Sequence, residues 1–286
     1  RYRPFGASNV GGFEKQVTMK KRSKIILFSG AWLILIAYLV YGLMFSSKRA
    51  KGVVCKSIEV EVLDSADYQF VRSATVKRML TSSKATPMGK PLTDINTKKL
   101  EDEISGMVAV RDVQVYKSLD GKLRVTVKQR RPLVRVFNAT GQSYYIDDEG
   151  LIMPTSPNYT AHVMVVSGNV KEPFKVKPNV NVLAWNDSIV GGEKPTICRI
   201  YDFAKFVSED DFWNAQIAQV YVNGTRNVEL IPVVGPHVIQ LGGFRNFRVK
   251  LKKLMVFYKE ALPTEGWNKY KIINLKYSNQ IVCTKR

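Results

Sequence analysis

From Ile25 to Phe45 the chain runs IILFSGAWLILIAYLVYGLMF, twenty-one residues without a charge. At a rise of about 1.5 Å per residue an α-helix of that length covers about 30 Å, the hydrocarbon thickness of a bilayer. Basic residues flank it on both sides (Lys20, Lys21, Arg22 and Lys24 before; Lys48, Arg49 and Lys51 after), with Trp32, Tyr38 and Tyr41 inside. A cleaved signal peptide is the competing reading, but its apolar region is shorter, about 7–15 residues, and ends at a small-residue cleavage site. Here Ser46-Ser47-Lys48-Arg49 follows a longer run, which favours a retained anchor bounded by Ile25 and Phe45, with Trp32 and Tyr41 as aromatic members. The expected order is a cytoplasmic tail (1–24, with Met19 as a natural start), a membrane span (25–45) and a basic linker (46–56). About 240 residues then lie on the far side. Positive charges nearly tie across the span, so the size of the downstream part decides orientation, because long domains translocate largely regardless of charge.

Past the linker the period of the apolar positions changes. Ile58-Glu59-Val60-Glu61-Val62 alternates as a half-buried strand does. A helix follows with Val71, Met79 and Leu80 as inner positions and Val76 between them, broken at Gly89-Lys90-Pro91. Asp94 or Thr97 can cap a second helix, in which Leu100 and Ile104 share a face. Val110–Tyr116 and Leu123–Val127 read as strands joined by an Asp120-Gly121 hairpin turn. Strand, helix, helix, strand, strand predicts a small α+β unit over 57–131, with two helices on one face of a three-stranded sheet. From Pro132 the pattern turns to short strands: Leu133–Phe137, Ser143–Ile146, His162–Val166, Gln219–Tyr221, Val228–Pro232 and His237–Leu241. Two helices interrupt them, one around Ile200–Val207 and one from Phe244 to Leu262 with the stripe Phe247, Leu251, Leu254, Met255, Tyr258, Leu262. Lys269–Cys283 returns to strand character. The fold class expected is α+β: one transmembrane helix, a small β-α-α-β-β domain, and a larger mixed β-sheet domain with flanking helices over 132–286.

The net charge is +20, and after Gly243 eleven Lys or Arg face only Glu260 and Glu265. Nucleic acid, anionic lipid or an acidic protein partner could each answer that charge. A membrane-tethered domain without a zinc-finger or RNA-binding signature favours the last two. Cys55, Cys198 and Cys283 have no metal spacing and no C-x-x-C, so neither a disulfide scaffold nor a metal centre is expected. Four N-x-S/T sequons, at Asn138, Asn158, Asn186 and Asn223, carry no weight alone. Only two histidines are present, His162 and His237, both in strand-like apolar context. No nucleophile elbow, H-E-x-x-H or Walker A loop occurs. Asp147-Asp148-Glu149-Gly150 reads as a hairpin turn rather than a calcium loop. No enzyme, no cofactor and no metal are expected.

Several strings together resemble the bacterial cell-division family FtsQ/DivIB, over most of the chain after Met19. Gly89-Lys90-Pro91-Leu92 with Asp94-Ile95-Asn96 is similar to that family's G-x-P-L stretch between the helices of its POTRA domain. Val125-Thr126-Val127-Lys128-Gln129-Arg130-Arg131-Pro132 resembles the V-x-V-x-E-R-x-P that closes it. Tyr145-Ile146-Asp147-Asp148-Glu149-Gly150 resembles the next hairpin, and Ile273-Asn274-Leu275-Lys276-Tyr277 a late strand. Gln129 stands where the family has Glu, Gly106-Met107-Val108 replaces His-Pro-Trp, and Asn274 and Lys276 replace Asp and Arg. Gly266-Trp267-Asn268-Lys269-Tyr270 and Gln280-Ile281-Val282-Cys283 resemble the Bacteroidetes branch.

The resemblance implies a non-enzymatic inner-membrane scaffold of the divisome, single-pass, with its bulk in the periplasm. It further implies FtsB/FtsL-like coiled-coil partners docked on the C-terminal strand, through Lys271, Ile273, Leu275, Lys276, Tyr277, Gln280 and Ile281. A late strand at a sheet edge leaves backbone groups for a partner strand to pair with. Arg248, Lys252, Lys253 and Lys259 on the preceding helix add a positive field for acidic partner residues. Ile273 and Leu275 also suit core packing, whereas Lys276 and Tyr277 suit an interface. The helix itself suits packing against the β domain better than lying on a membrane. A second function class stays open on these residues: a POTRA-bearing envelope-assembly or secretion adaptor that binds strands by β-augmentation.

Overall fold

The protein is seen in a computed structural model that describes residues 30–42, 53–82, 86–188, 193–224 and 226–286. Residues 30–42 form helix α1, thirteen of the twenty-one expected for the span, with Trp32 and Tyr41 exposed. Ile25 and Phe45 lie outside the described residues. Among the described residues no helix is long and apolar enough to cross a membrane.

The chain divides into two compact units. The smaller joins the N-terminal stretch through Ser57 to Pro87–Ile95 and Lys117–Lys122. Backbone bonds tie these segments: Cys55 N–H donates to Lys90 (2.9 Å), Gly89 N–H to Cys55 (2.9 Å), Leu92 N–H to Val53 (2.9 Å) and Lys56 N–H to Gly121 (2.8 Å). The larger unit comprises Ile58–Thr86, Asn96–Tyr116 and Leu123–Arg286.

Three strands, β1 (Ser57–Val62), β2 (Val110–Lys117) and β3 (Lys122–Gln129), form a sheet in the order β1-β3-β2. Central β3 buries Leu123, Val125 and Val127, as its alternation predicts. Helix α2 (Ser73–Ser82) buries Val76 and Leu80, and α3 (Thr97–Ser105) buries Leu100 and Ile104. The cap of α3 is neither Asp94 nor Thr97. Asn96 holds the extended backbone a cap needs and accepts from Lys99 N–H at 3.1 Å, while Asp94 closes a 3-10 turn upstream.

Nine strands build the second sheet: β4 (Pro132–Phe137), β5 (Ser143–Asp147), β6 (Ile152–Pro154), β7 (Met164–Gly168), β8 (Ile217–Val222), β9 (Val228–Pro232), β10 (Val238–Gly242), β11 (Tyr270–Asn274) and β12 (Val282–Lys285). Their order is β12-β11-β10-β9-β8-β7-β4-β5-β6. The pairs β4–β7, β7–β8 and β10–β11 are parallel and the others antiparallel, so the architecture is α+β with a mixed larger sheet. Parallel neighbours need crossover connections. The β7–β8 crossover carries α4 (Thr196–Ser208) and α5 (Asp211–Gln216). The β10–β11 crossover carries α6 (Phe247–Val256), a π-helical turn (Phe257–Ala261) and α7 (Leu262–Glu265). Ile197, Ile200, Phe203, Val207, Phe247, Leu251, Leu254, Tyr258 and Leu262 from these helices pack with Val134, Val166, Val220, Leu230, Ile239 and Ile273 of the sheet.

Four expectations shift. The helix expected as one piece over Phe244–Leu262 starts at Phe247 and is interrupted by the π turn. Helix α5, too short to show a period, is held by Asp210 accepting from Trp213 N–H at 3.0 Å. The strand expected at His162–Val166 runs Met164–Gly168, leaving His162 exposed ahead of it. The last segment is two strands.

The carboxylate turn lies where the two sheets of the larger unit meet. Asp147, with a side chain 0% exposed, accepts from Glu149 N–H (3.0 Å) and Leu151 N–H (2.7 Å). Its other oxygen faces Arg130 at 3.0 Å. Arg130 also reaches Glu149 (3.0 Å), and Arg111 reaches Asp148 (3.1 Å) and Glu149 (2.7 Å). Beside this cluster Phe70 meets the edges of Tyr145 and Tyr159 with centroids 5.4 and 4.9 Å apart.

Candidate partner-binding edge

One rim of the nine-stranded sheet is built from the last seventeen residues. β11 is rich in β-branched residues and lies between two strands, β10 in parallel and β12 antiparallel. The expectation that the Ile273–Tyr277 strand forms the sheet edge is therefore corrected. The edge strand is β12, because Lys276–Ile281 turns the chain back and lets Val282–Lys285 cover β11. Val282 is 40% exposed, Cys283 half-buried, Thr284 and Lys285 exposed. Burial pushes the Cys283 thiol above its ordinary value, so it is protonated at neutral pH.

The expected site residues separate by environment. Ile273 and Leu275 are fully buried in the helix-covered core, with Leu275 N–H donating to Gln240 at 2.9 Å. Ile281 is half-buried against the same core. Lys271, Lys276, Tyr277 and Gln280 are exposed, Tyr277 by 51%. Lys276 leaves the strand through a turn in which its N–H donates to Asn274 Oδ1 at 2.9 Å.

Helix α6 faces this rim with mixed roles. Arg248, Lys252 and Lys259 are exposed, and the Arg248 guanidinium lies over the Phe206 and Phe247 rings at 5.3 and 5.1 Å. Lys253 instead donates to the carbonyls of Tyr277 (3.0 Å) and Ser278 (2.7 Å), binding the β11–β12 turn to the helix. Sequence reasoning missed Lys250. Its ammonium donates to Leu241 (2.7 Å) and Gly243 (3.0 Å), and burial, with the nearby Lys253 charge, lowers its pKa. An inward place in the helical stripe, between Phe247 and Leu254, was the available signal.

Tyr258, in the π turn, hydrogen-bonds His237 Nε2 at 2.7 Å, while His237 Nδ1 has no partner in a site 2% exposed. Gly235 makes room for that ring: at φ +92 it places a would-be Cβ 2.6 Å from the imidazole. Arg286 Nη2 donates to Pro236 at 2.9 Å and Arg286 N–H to Lys269 at 3.1 Å, so the end of β12 is tied to both neighbouring strand entries. Such a rim offers backbone groups to an added strand, an exposed phenol and a basic field; chemically it can bind but brings no acid, base and nucleophile together. Among the described residues no group of three His, Cys, Asp or Glu could hold a metal ion.

Comparison with known proteins gives three likenesses. A family model described as "FtsQ/DivIB, C-terminal related" matches residues 131–284. A "POTRA-like domain" model matches residues 53–128. The "Cell division protein FtsQ" of Rhodothermus marinus is 24% identical over 201 residues, covering 69% of this chain and 68% of the relative.

Proposed function

This chain belongs to the FtsQ/DivIB family, and from that premise we propose that it is a non-enzymatic, membrane-anchored scaffold of the division machinery. The anchor is the 25–45 run, with the N-terminus cytoplasmic and the bulk periplasmic. The two domains are 57–131 and 132–286. The partners are FtsB/FtsL-like bitopic proteins, bound at the rim of the larger sheet so that early and late division proteins are linked for septal peptidoglycan synthesis.

The observation that carries the site is the position of β12. It is a four-residue strand at the end of a nine-stranded sheet, with β11 on one side only. An exposed sheet edge presents unpaired backbone N–H and C=O groups to which an extended peptide can add in register. Lys276, Tyr277 and Gln280 stand beside it as side-chain contacts, and Lys271, Arg248, Lys252 and Lys259 as steering charges. Ile273 and Leu275 support the strand from the core side, and Lys253 holds its turn.

The test is a pull-down of the detergent-solubilised full chain against solubilised envelope, beside Tyr277→Ala with Lys276→Glu. Small coiled-coil membrane proteins should be recovered by the wild type and lost from the variant. Retention by both versions rejects the site. Recovery of outer-membrane barrel precursors instead of division proteins rejects the scaffold role in favour of an assembly adaptor.

A further inference from the structure

The smaller unit carries a feature that partner binding at β12 does not use. Its described residues after α1 come from three short segments, 53–57, 87–95 and 117–122, joined by the backbone bonds given above. Each segment exposes one sizeable apolar side chain: Val54 by 40%, Met88 by 41% and Leu119 by 90%. Leu119 sits in a turn whose other residues, Ser118, Asp120 and Gly121, are those expected of a solvated hairpin tip. Gly121 adopts φ +86 with the Val54 carbonyl 2.9 Å from where a Cβ would stand, so the tip is held tightly against the 53–57 segment. Single exposed apolar residues are ordinary, but three on adjoining segments of one small unit are not scattered.

The same segments carry charge. Lys56, Lys90 and Lys117 are exposed, Lys122 faces Asp120 at 3.9 Å, and Asp94 is the other acidic residue of these segments. The sequence adds Lys48, Arg49 and Lys51 just before, with no acidic residue between Phe45 and Ser57. Exposed apolar side chains carried on the same short segments as long basic ones suit the boundary between water and an anionic bilayer. There the apolar groups enter the headgroup zone while ammonium groups meet phosphates. Chain length adds the decisive restriction. If the 25–45 run spans the bilayer, eight residue steps separate Phe45 from Val53, at most about 28 Å of extended chain. Val53, where the lobe begins, is then held within that distance of the surface that the lobe's chemistry fits.

We propose that the lobe formed by residues 53–57, 87–95 and 117–122 docks on the anionic lipid surface from which the chain emerges, with Leu119 and Met88 entering the headgroup region and Lys56, Lys90 and Lys117 meeting lipid phosphates. This rests on the anchor reading under Proposed function. Docking would fix the tilt of the first extramembrane segment and hence the height at which partners meet it.

The test uses the full chain with Cys283→Ser and Leu119→Cys, labelled at 119 with an environment-sensitive fluorophore, since Cys55 and Cys198 are buried. The protein is placed in nanodiscs of phosphatidylcholine alone or with one part in three phosphatidylglycerol. The proposal expects a blue-shifted emission quenched by spin-labelled lipid in the anionic discs and weaker in the neutral ones. Lys90→Gln with Lys117→Gln should lower the docked-to-undocked ratio about fivefold per lysine. A label that stays water-like in both discs, in a chain that resists alkaline extraction, overturns the docking and leaves the anchor standing. A chain that alkali extracts overturns the anchor, and the docking falls with it. Burial of the label only when division proteins are added assigns the lobe to a protein partner and overturns the lipid assignment.

Discussion

Gln129 is 1% exposed, and its amide serves three separate groups. Oε1 accepts from Val71 N–H at 2.7 Å, and Nε2 donates to Asp64 at 3.1 Å and to the Tyr68 carbonyl at 2.7 Å. This accounts for an amide where the resembling family strings carry a carboxylate: beside Asp64, only the amide supplies donors. Gln129→Glu should therefore cost about 2–3 kcal/mol at pH 7 in urea unfolding, because the Tyr68 carbonyl loses its donor and a second carboxylate is set against Asp64, which keeps the backbone N–H of residue 129. Part of the loss should return on acidification as the introduced carboxyl takes a proton; an unchanged midpoint at pH 7 would discard this account. His237 gives a second case. Burial lowers its pKa below the ordinary value of about 6.5, and its neighbour Tyr258, itself raised by burial, brings no charge. The unfolded chain then binds more protons than the folded one just below pH 6.5. Stability is complete above that pH and falls as the pH drops through the lowered value. His237→Gln, which keeps a partner for Tyr258, should flatten the unfolding midpoint between pH 7 and 5; an unaltered slope would place the sensitivity elsewhere.

Lys253 changes what α6 does for the rim. Read from sequence it belongs with Arg248, Lys252 and Lys259 as steering charge, yet its ammonium binds the carbonyls of Tyr277 and Ser278. Lys253→Met should speed amide exchange across residues 277–281 about tenfold, an opening cost lower by about 1–1.5 kcal/mol. Lys252→Met, one residue away and exposed, should leave that exchange unchanged, and equal effects from both would refute the tie. The difference between the two lysines was not legible, because it depends on where the β11–β12 turn lands, more than twenty residues downstream. What was legible is local. The stripe Phe247, Leu251, Leu254, Tyr258, Leu262 faces inward as its spacing requires, and Leu123, Val125 and Val127 alternate into the core. The π turn was hidden because the stripe's steps of three and four residues survive one extra residue in the turn. Strand order was hidden for a different reason: alternation in β11 reports burial of a face, not which neighbour lies alongside. A parallel crossover of some thirty residues separates β10 from β11. Hence the edge was expected one strand too early, although Tyr277 and Lys276 do lie exposed beside it.

The larger unit contains two sheets whose strands alternate independently, so its cohesion depends on the few groups that meet where the sheets adjoin. Asp147 is the most confined of them. Burial alone would raise its pKa strongly, and Arg130 together with the Glu149 and Leu151 amides offsets part of that, leaving the value still above the ordinary carboxylate range. Arg130 is itself only 15% exposed and shares its guanidinium with Glu149 and the Val108 carbonyl. Arg130→Ala removes the arginine paired with Asp147 and leaves a buried carboxylate, a change that costs about 3–5 kcal/mol in such sites. Burial without Arg130 lifts the Asp147 pKa further, so the folded variant holds a proton that the unfolded chain has released. Its stability should then fall as pH rises from 5 to 7, opposite in sign to the His237 effect. Adding Asp147→Asn removes the charge while keeping an oxygen for the backbone amides, and should restore at least half of the loss at pH 7. Urea unfolding of wild type, Arg130→Ala and the double variant at pH 5 and 7 separates the possibilities. A loss of equal size at both pH values, unrelieved in the double variant, would mean that Arg130 acts through its stem and the Val108 carbonyl rather than through the Asp147 charge.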